Sequence, residues 1–140
     1  MSTFAVEKLE AIRDVGKVRF FKLIKDGICL FDDFYDEVSK DKRHHKDMLS
    51  ILSMMDYMAE TNALIPKEKF NSIKQRNMVV GYEFKKNDLR VYCKKMPDNV
   101  VVIFGGYKQN QKDDIKKLNK IVNESEGVIE KLIADNFGII

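Results

Sequence analysis

The chain has 140 residues, a net charge of +3 and an ordinary composition of 44% hydrophobic and 34% charged residues. The composition is that of a folded protein and the length suits a single domain that buries a real core, while the net charge alone says little. No apolar run approaches the length of a membrane span, and no signal-peptide core follows a basic start. A cytoplasmic location without a membrane partner is therefore expected.

Residues 3–15 read as a short helix, with Ser2 or Thr3 as cap, Val6, Leu9 and Ile12 as its stripe and Gly16 at the C′ position; an irregular arm also fits. Residues 17–24 read as a strand ended by Asp26-Gly27. Residues 28–39 form a helix with Phe31, Phe34 and Val38 inward and an acidic, solvated outer face. The strongest helical pattern covers 42–61, where Met48, Ile51, Leu52, Met55, Met58 and Ala59 make a stripe that packs on a sheet. The methionines there are adaptable core filling. His44 and His45 are adjacent, point in different directions and have no third ligand, so they read as surface histidines rather than a metal site.

Pro66 opens a connecting segment anchored by Phe70 and Ile73. Three antiparallel strands follow, near 79–85, 89–95 and 100–106. In the first, Val80, Tyr82 and Phe84 share one face and Val79, Gly81 and Glu83 the other. In the second, Leu89, Val91 and Cys93 face the core and Arg90, Tyr92 and Lys94 face away from it. Lys86-Asn87-Asp88 and Pro97-Asp98-Asn99 supply the turns. Residues 100–104 are apolar on both faces, as in a central strand, and Gly105-Gly106 ends the run. Asn110 caps a helix over 111–122 whose inner stripe is Ile115, Leu118 and Val122, and 128–136 forms a last helix. The fold class is thus α+β: a small antiparallel-rich sheet, helices 28–39 and 42–61 on one face, and C-terminal helices. Cys29 and Cys93 sit in apolar company and read as buried free thiols.

Charge is unevenly spread. Residues 66–120 carry 14 Lys and Arg against 6 Asp and Glu, a balance of +8, leaving −5 over the rest. Arg90, Tyr92 and Lys94 are expected on an exposed sheet face, with Lys85, Lys86, Lys95, Lys108 and Lys112 crowding the same region. Such a face is a footprint for phosphate, although a merely solvated sheet face has the same alternation.

Three segments carry a resemblance: Gly81-Tyr82-Glu83-Phe84, then Leu89-Arg90-Val91-Tyr92, then Val100 to Phe104 continued by Gly106-Tyr107-Lys108-Gln109-Asn110-Gln111-Lys112. With the order of elements, they make Phe70 to Val122 resemble the RelE/ParE superfamily of bacterial toxins, particularly its HigB-type and phage-protein-like branch. The resemblance implies one RelE-like domain over 1–140, with additions at 1–16 and 124–140. It implies the toxin of a type II toxin–antitoxin system, a ribosome-dependent messenger-RNA endonuclease that uses neither a metal nor a small-molecule cofactor. Its partners would be messenger RNA on the ribosome and a cognate antitoxin. By position, Arg90 would clamp phosphate, and Lys108 and Lys112 would add phosphate contacts or proton transfer. Tyr107 or Tyr92 would stack on a base, and Lys85, Lys86, Lys94 and Lys95 would grip RNA. Three departures stand out: Gln109 replaces the usual second lysine, Asp113-Asp114 replace Thr-Pro, and no histidine lies near the strands. The alternatives are a gyrase-inhibiting ParE-like toxin and an inactive RelE-fold module that binds an acidic protein.

Overall fold

Six strands form one mixed sheet in the computed structural model, which describes residues 2–138. In chain order the elements are β1 (Phe4–Lys8), β2 (Arg19–Lys25), α1 (Leu30–Val38), α2 (Lys42–Thr61), β3 (Phe70–Gln75), β4 (Met78–Lys86), β5 (Leu89–Lys95), β6 (Asn99–Tyr107), α3 (Gln111–Glu124) and α4 (Val128–Phe137). A 3-10 turn at Lys108–Asn110 leads into α3. The sheet order is β1-β2-β6-β5-β4-β3. β2 and β6 pair in parallel, and every other pair is antiparallel. The expected α+β class holds, with two strands more than the sequence indicated. Met1, Ile139 and Ile140, at the outer ends of the two expected additions, lie outside the described residues.

Both additional strands lie at the sheet edges. The stretch expected as a helix over 3–15 is instead β1 followed by a turn. Val6, Leu9 and Ile12 are all buried, as the stripe demanded, but a spacing of three also suits a strand that runs into a turn. What decides is the open edge of β2, which β1 pairs with from Phe4↔Lys25 to Lys8↔Phe21. The segment anchored by Phe70 and Ile73 is β3. It reverses into β4 through Arg76 and Asn77, both at positive φ (51° and 65°), the geometry of a two-residue hairpin.

Helices cover both faces of the sheet, and each face has its own core. On the α1–α2 side, Phe31, Phe34, Met48, Ile51 and Met55 pack against Phe20, Phe84, Leu89, Val91, Cys93 and Val102. On the α3–α4 side, Leu118, Ile121, Ile129 and Ile133 pack against Phe21, Tyr92, Val101, Ile103 and Phe104. The doubly apolar run 100–104 is explained: β6 contributes to both cores. Val80 departs from its expected face. The register jumps from Ile73↔Gly81 to Lys74↔Val79, so Val80 has no partner and turns into the second core beside Ile73. α2 begins at Asp41, whose carboxylate accepts from the backbone N–H of Arg43 (2.8 Å) and His44 (3.3 Å). Cys29 and Cys93 are both free; Cys93 is buried as expected, whereas Cys29 is only half-buried.

Candidate functional site

The sheet face that was to be exposed lies under α3 and α4. Arg90 is 8% exposed, Tyr92 0% and Glu83 2%. Arg90 Nη1 donates to the carbonyls of Asn87 (2.8 Å) and Leu89 (2.9 Å), and its Nε lies 3.6 Å from Glu83 Oε1. Glu83 in turn accepts from Gln111 Nε2 at 2.8 Å, on the first turn of α3. Burial pushes the Glu83 carboxyl above its ordinary range, against the pull of Lys85, Arg90 and Gln111. Arg90 is thus the clamp of the β4–β5 turn and the counter-ion of a buried carboxylate, not a free phosphate ligand.

Tyr92 is likewise unavailable to stack on a base. Its ring packs on Phe104 at 4.9 Å, and burial, followed by Asp114 and Glu83, pushes its phenol up. The hydroxyl has no hydrogen-bond partner among the described residues. Tyr92→Phe is therefore expected to leave stability within about 1 kcal/mol. A larger loss in urea denaturation would show that the hydroxyl has a partner after all. Lys94 is drawn into an ion pair with Glu130 of α4. These three residues were assigned to solvent because strict alternation gives only two faces, and nothing in β5 itself says that the second face is roofed.

The remaining predicted residues are dispersed. Lys85 is half-buried near Glu83. Lys86 lines a groove with Met54 and Tyr57, and Lys95 lines another with Phe70 and Tyr82. Lys112 is exposed on α3 in register with Lys116 and Lys120, so part of the basic balance lies along the outer side of that helix.

Tyr107 and Lys108, by contrast, meet in a cleft of about 630 Å³ with His44, Asp88 and Gln109. Three elements build it: the first turn of α2, the β4–β5 turn and the junction of β6 with α3. The Lys108 backbone N–H donates to the Asp88 carbonyl at 2.7 Å, which fixes that junction against the turn. The Tyr107 ring meets Phe34 edge-on, with centroids 5.4 Å apart, and His44 at a tilt at 5.3 Å. Its hydroxyl donates to Glu37 Oε2 at 2.7 Å, and burial with that carboxylate raises the phenol to about 12. The phenol therefore stays protonated at working pH and is committed to Glu37. His44 Nδ1 lies 3.8 Å from Asp41 Oδ2, and its side chain is 25% exposed.

Compared with known proteins, the chain matches no family model and no curated protein. The site must be read from its own geometry.

His44 is the residue that sequence reasoning missed. It was set aside as a surface histidine, yet it lies four residues before Met48, one helical turn back along the buried stripe of α2. That spacing already placed it at the end of the packed face, beside whatever the sheet brings there. Among the described residues no group of three or more His, Cys, Asp or Glu could hold a metal ion, and no helix is long and apolar enough to cross a membrane.

Proposed function

We propose that the chain is the toxin of a type II toxin–antitoxin pair, cutting messenger RNA on the ribosome in the cytoplasm and held in check by a cognate antitoxin. The observation that supports this most is the cleft, where an imidazole, an aromatic ring and a cation with no ion pair among the described residues stand together: His44, Tyr107 and Lys108. Metal-free cleavage of RNA needs that set. A base takes the proton of the 2′-hydroxyl, the 2′-oxygen attacks phosphorus, and the bond to the 5′-oxygen breaks. A proton returned to that oxygen leaves a 2′,3′-cyclic phosphate and a 5′-hydroxyl. Imidazole is the side chain best matched to carry such protons near neutrality, and a fixed cation stabilises the anionic phosphorane. In this reading His44 transfers the proton, Lys108 holds the phosphate, and Tyr107 offers its ring to a base while its hydroxyl stays with Glu37. Lys112 extends the phosphate track along α3. Arg90 and Tyr92 have no direct part.

Burial of Arg90 and Tyr92 favours a second reading, a non-cleaving module on the same scaffold, with gyrase or another protein as its target. Induced expression without an antitoxin, followed by mapping of messenger 5′ ends, separates the two. Growth arrest with new ends inside codons is expected. Arrest with a DNA-damage response and intact messengers moves the target to gyrase, and unimpaired growth with folded protein present overturns the toxin reading.

A further inference from the structure

We propose that the groove at the C-terminal end of α2 is a binding site for a small aromatic monocarboxylate. The inference does not rest on RNA cleavage. The groove meets Met58 in the last turn of α2, whereas the cleft meets His44 in the first.

The groove has a volume of about 770 Å³, within the range of small-molecule sites. One wall is α2 and the loop after it, with Met58, Ile65 and Pro66; the other is the sheet, with Phe70, Tyr82 and Lys95. Three different strands supply those last three residues, and the register puts them on the α2 side. Phe70 pairs with Phe84, Tyr82 with Cys93 and Lys95 with Val100, and each of those partners belongs to the α1–α2 core. The Phe70 and Tyr82 rings lie 15° from parallel, with centroids 5.5 Å apart. Tyr82 is only half-buried, so the pair leaves apolar surface on which a planar ring can stack.

Lys95 selects the charge. The lysine ion pairs among the described residues belong to Lys8, Lys22, Lys25 and Lys94, which leaves the half-buried Lys95 without a counter-ion there. Lys67 adds a second positive charge at the rim, and no residue lining the groove is acidic. A carboxylate entering the groove would give the Lys95 ammonium a charge-assisted hydrogen bond that its surroundings lack. A nucleotide would set a polyanion and sugar hydroxyls against Met58, Ile65 and Pro66, whereas one carboxylate on an apolar ring answers both walls.

A protein strand is a poorer occupant, because the backbone beside the groove is already engaged. The Phe70 N–H donates to the Pro66 carbonyl at 3.0 Å, and the Ser72 carbonyl accepts from the Asn71 amide at 2.9 Å. Leu64, 98% exposed on the loop that lines the groove, has apolar surface that a bound ring would cover.

The test titrates the whole chain with naphthoate, with the neutral naphthalenemethanol and with octanoate, read by calorimetry and by backbone amide shifts. Naphthoate is expected to saturate at about 1 mM or below, as suits a ligand of its size, and to shift the amides of 62–67, Ser72, Tyr82 and Lys95. Naphthalenemethanol should bind about tenfold more weakly, and octanoate more weakly than naphthoate. Lys95→Met should bind acid and alcohol alike, and Leu64→Ser should weaken both several-fold while keeping the preference for the acid. The comparison of acid with alcohol on the parent chain decides the matter even if Lys95→Met fails to fold. Equal binding of acid and alcohol by the parent would overturn the proposal, as would a preference that survives in folded Lys95→Met. So would tighter binding of octanoate, shifts confined to other lysine-bearing surfaces, or no saturation.

Discussion

Arg90→Ala is expected to destabilise the protein by about 3–5 kcal/mol, the usual cost of stripping one partner from a buried ion pair. The variant loses two hydrogen bonds to the carbonyls of Asn87 and Leu89 and leaves Glu83, itself 2% exposed, without its nearest cation. Acid should partly rescue it. A carboxyl whose folded pKa lies above its unfolded value binds its proton more tightly in the folded state. Its ionised form therefore weakens the fold at pH values above the folded pKa, and that penalty fades as pH falls towards the ordinary carboxylate range. Glu83 is already raised by burial, and removing Arg90 takes away one of the groups that hold it down. The deficit of Arg90→Ala should accordingly be larger at about pH 7 than at about pH 5 in urea denaturation. The double change Arg90→Met with Glu83→Met should recover much of the loss, because neither charge is then left buried alone. A stable, fully folded Arg90→Ala at neutral pH would mean that the side chain is free after all, and would return it to the list of phosphate ligands.

His44→Ala is expected to lower RNA cleavage by about 10²–10⁴-fold, the range for loss of a positioned acid–base group. Its side chain is partly open to solvent and makes no hydrogen bond to the core among the described residues, so the fold should survive the change. Tyr107→Phe supplies the contrast. It keeps the ring's contacts with Phe34 and His44 and removes only the hydroxyl that Glu37 occupies, so cleavage should change little. Rates measured on ribosome-bound messenger should separate the two variants, with Tyr107→Phe close to the parent and His44→Ala far below it. If His44→Ala cuts at the parental rate, the imidazole is not the proton carrier. If Tyr107→Phe is as impaired as His44→Ala, the phenol takes part in chemistry that the bond to Glu37 should forbid.

Residues that repeat one signal many times were legible in the sequence, and those whose place depends on a distant partner were not. α2 shows its stripe six times over 20 residues, and each of those six side chains is buried. β1 and β3 are short, with two polar residues of five and four of six, and form because β2 and β4 offer open edges. The exposed basic face was wrong for a reason already visible in the chain. A strand apolar on both sides, 100–104, needs both faces of the sheet covered, and its neighbour β5 shares those faces. Glu83 was also placed on the face opposite Tyr82 and Phe84. With the turn at Asn87-Asp88 setting Lys85 against Arg90, Glu83 falls diagonal to Arg90, within reach of the guanidinium. The Tyr107–Lys108 half of the cleft was found from sequence, whereas His44 joins it only through the tertiary packing of α2 on the sheet.

The parallel pairing of β2 with β6 shapes how the chain acquires its structure during synthesis. Arg19 pairs with Asn99, and the Arg19 side chain also donates to the carbonyls of Phe137 and Gly138 at 2.8 and 2.7 Å. β2 therefore waits for β6, a strand distant in sequence, and the end of α4 is fastened to β2. While β6 remains in the ribosomal tunnel, β1, β2, α1 and α2 have only two of the six strands and an uncovered Phe20 and Phe21. Contacts so distant in sequence slow folding and lengthen the time for which apolar surface is open. The cleft of His44, Tyr107 and Lys108 can therefore form only once β6 and the turn after it have left the tunnel and joined the elements made before them.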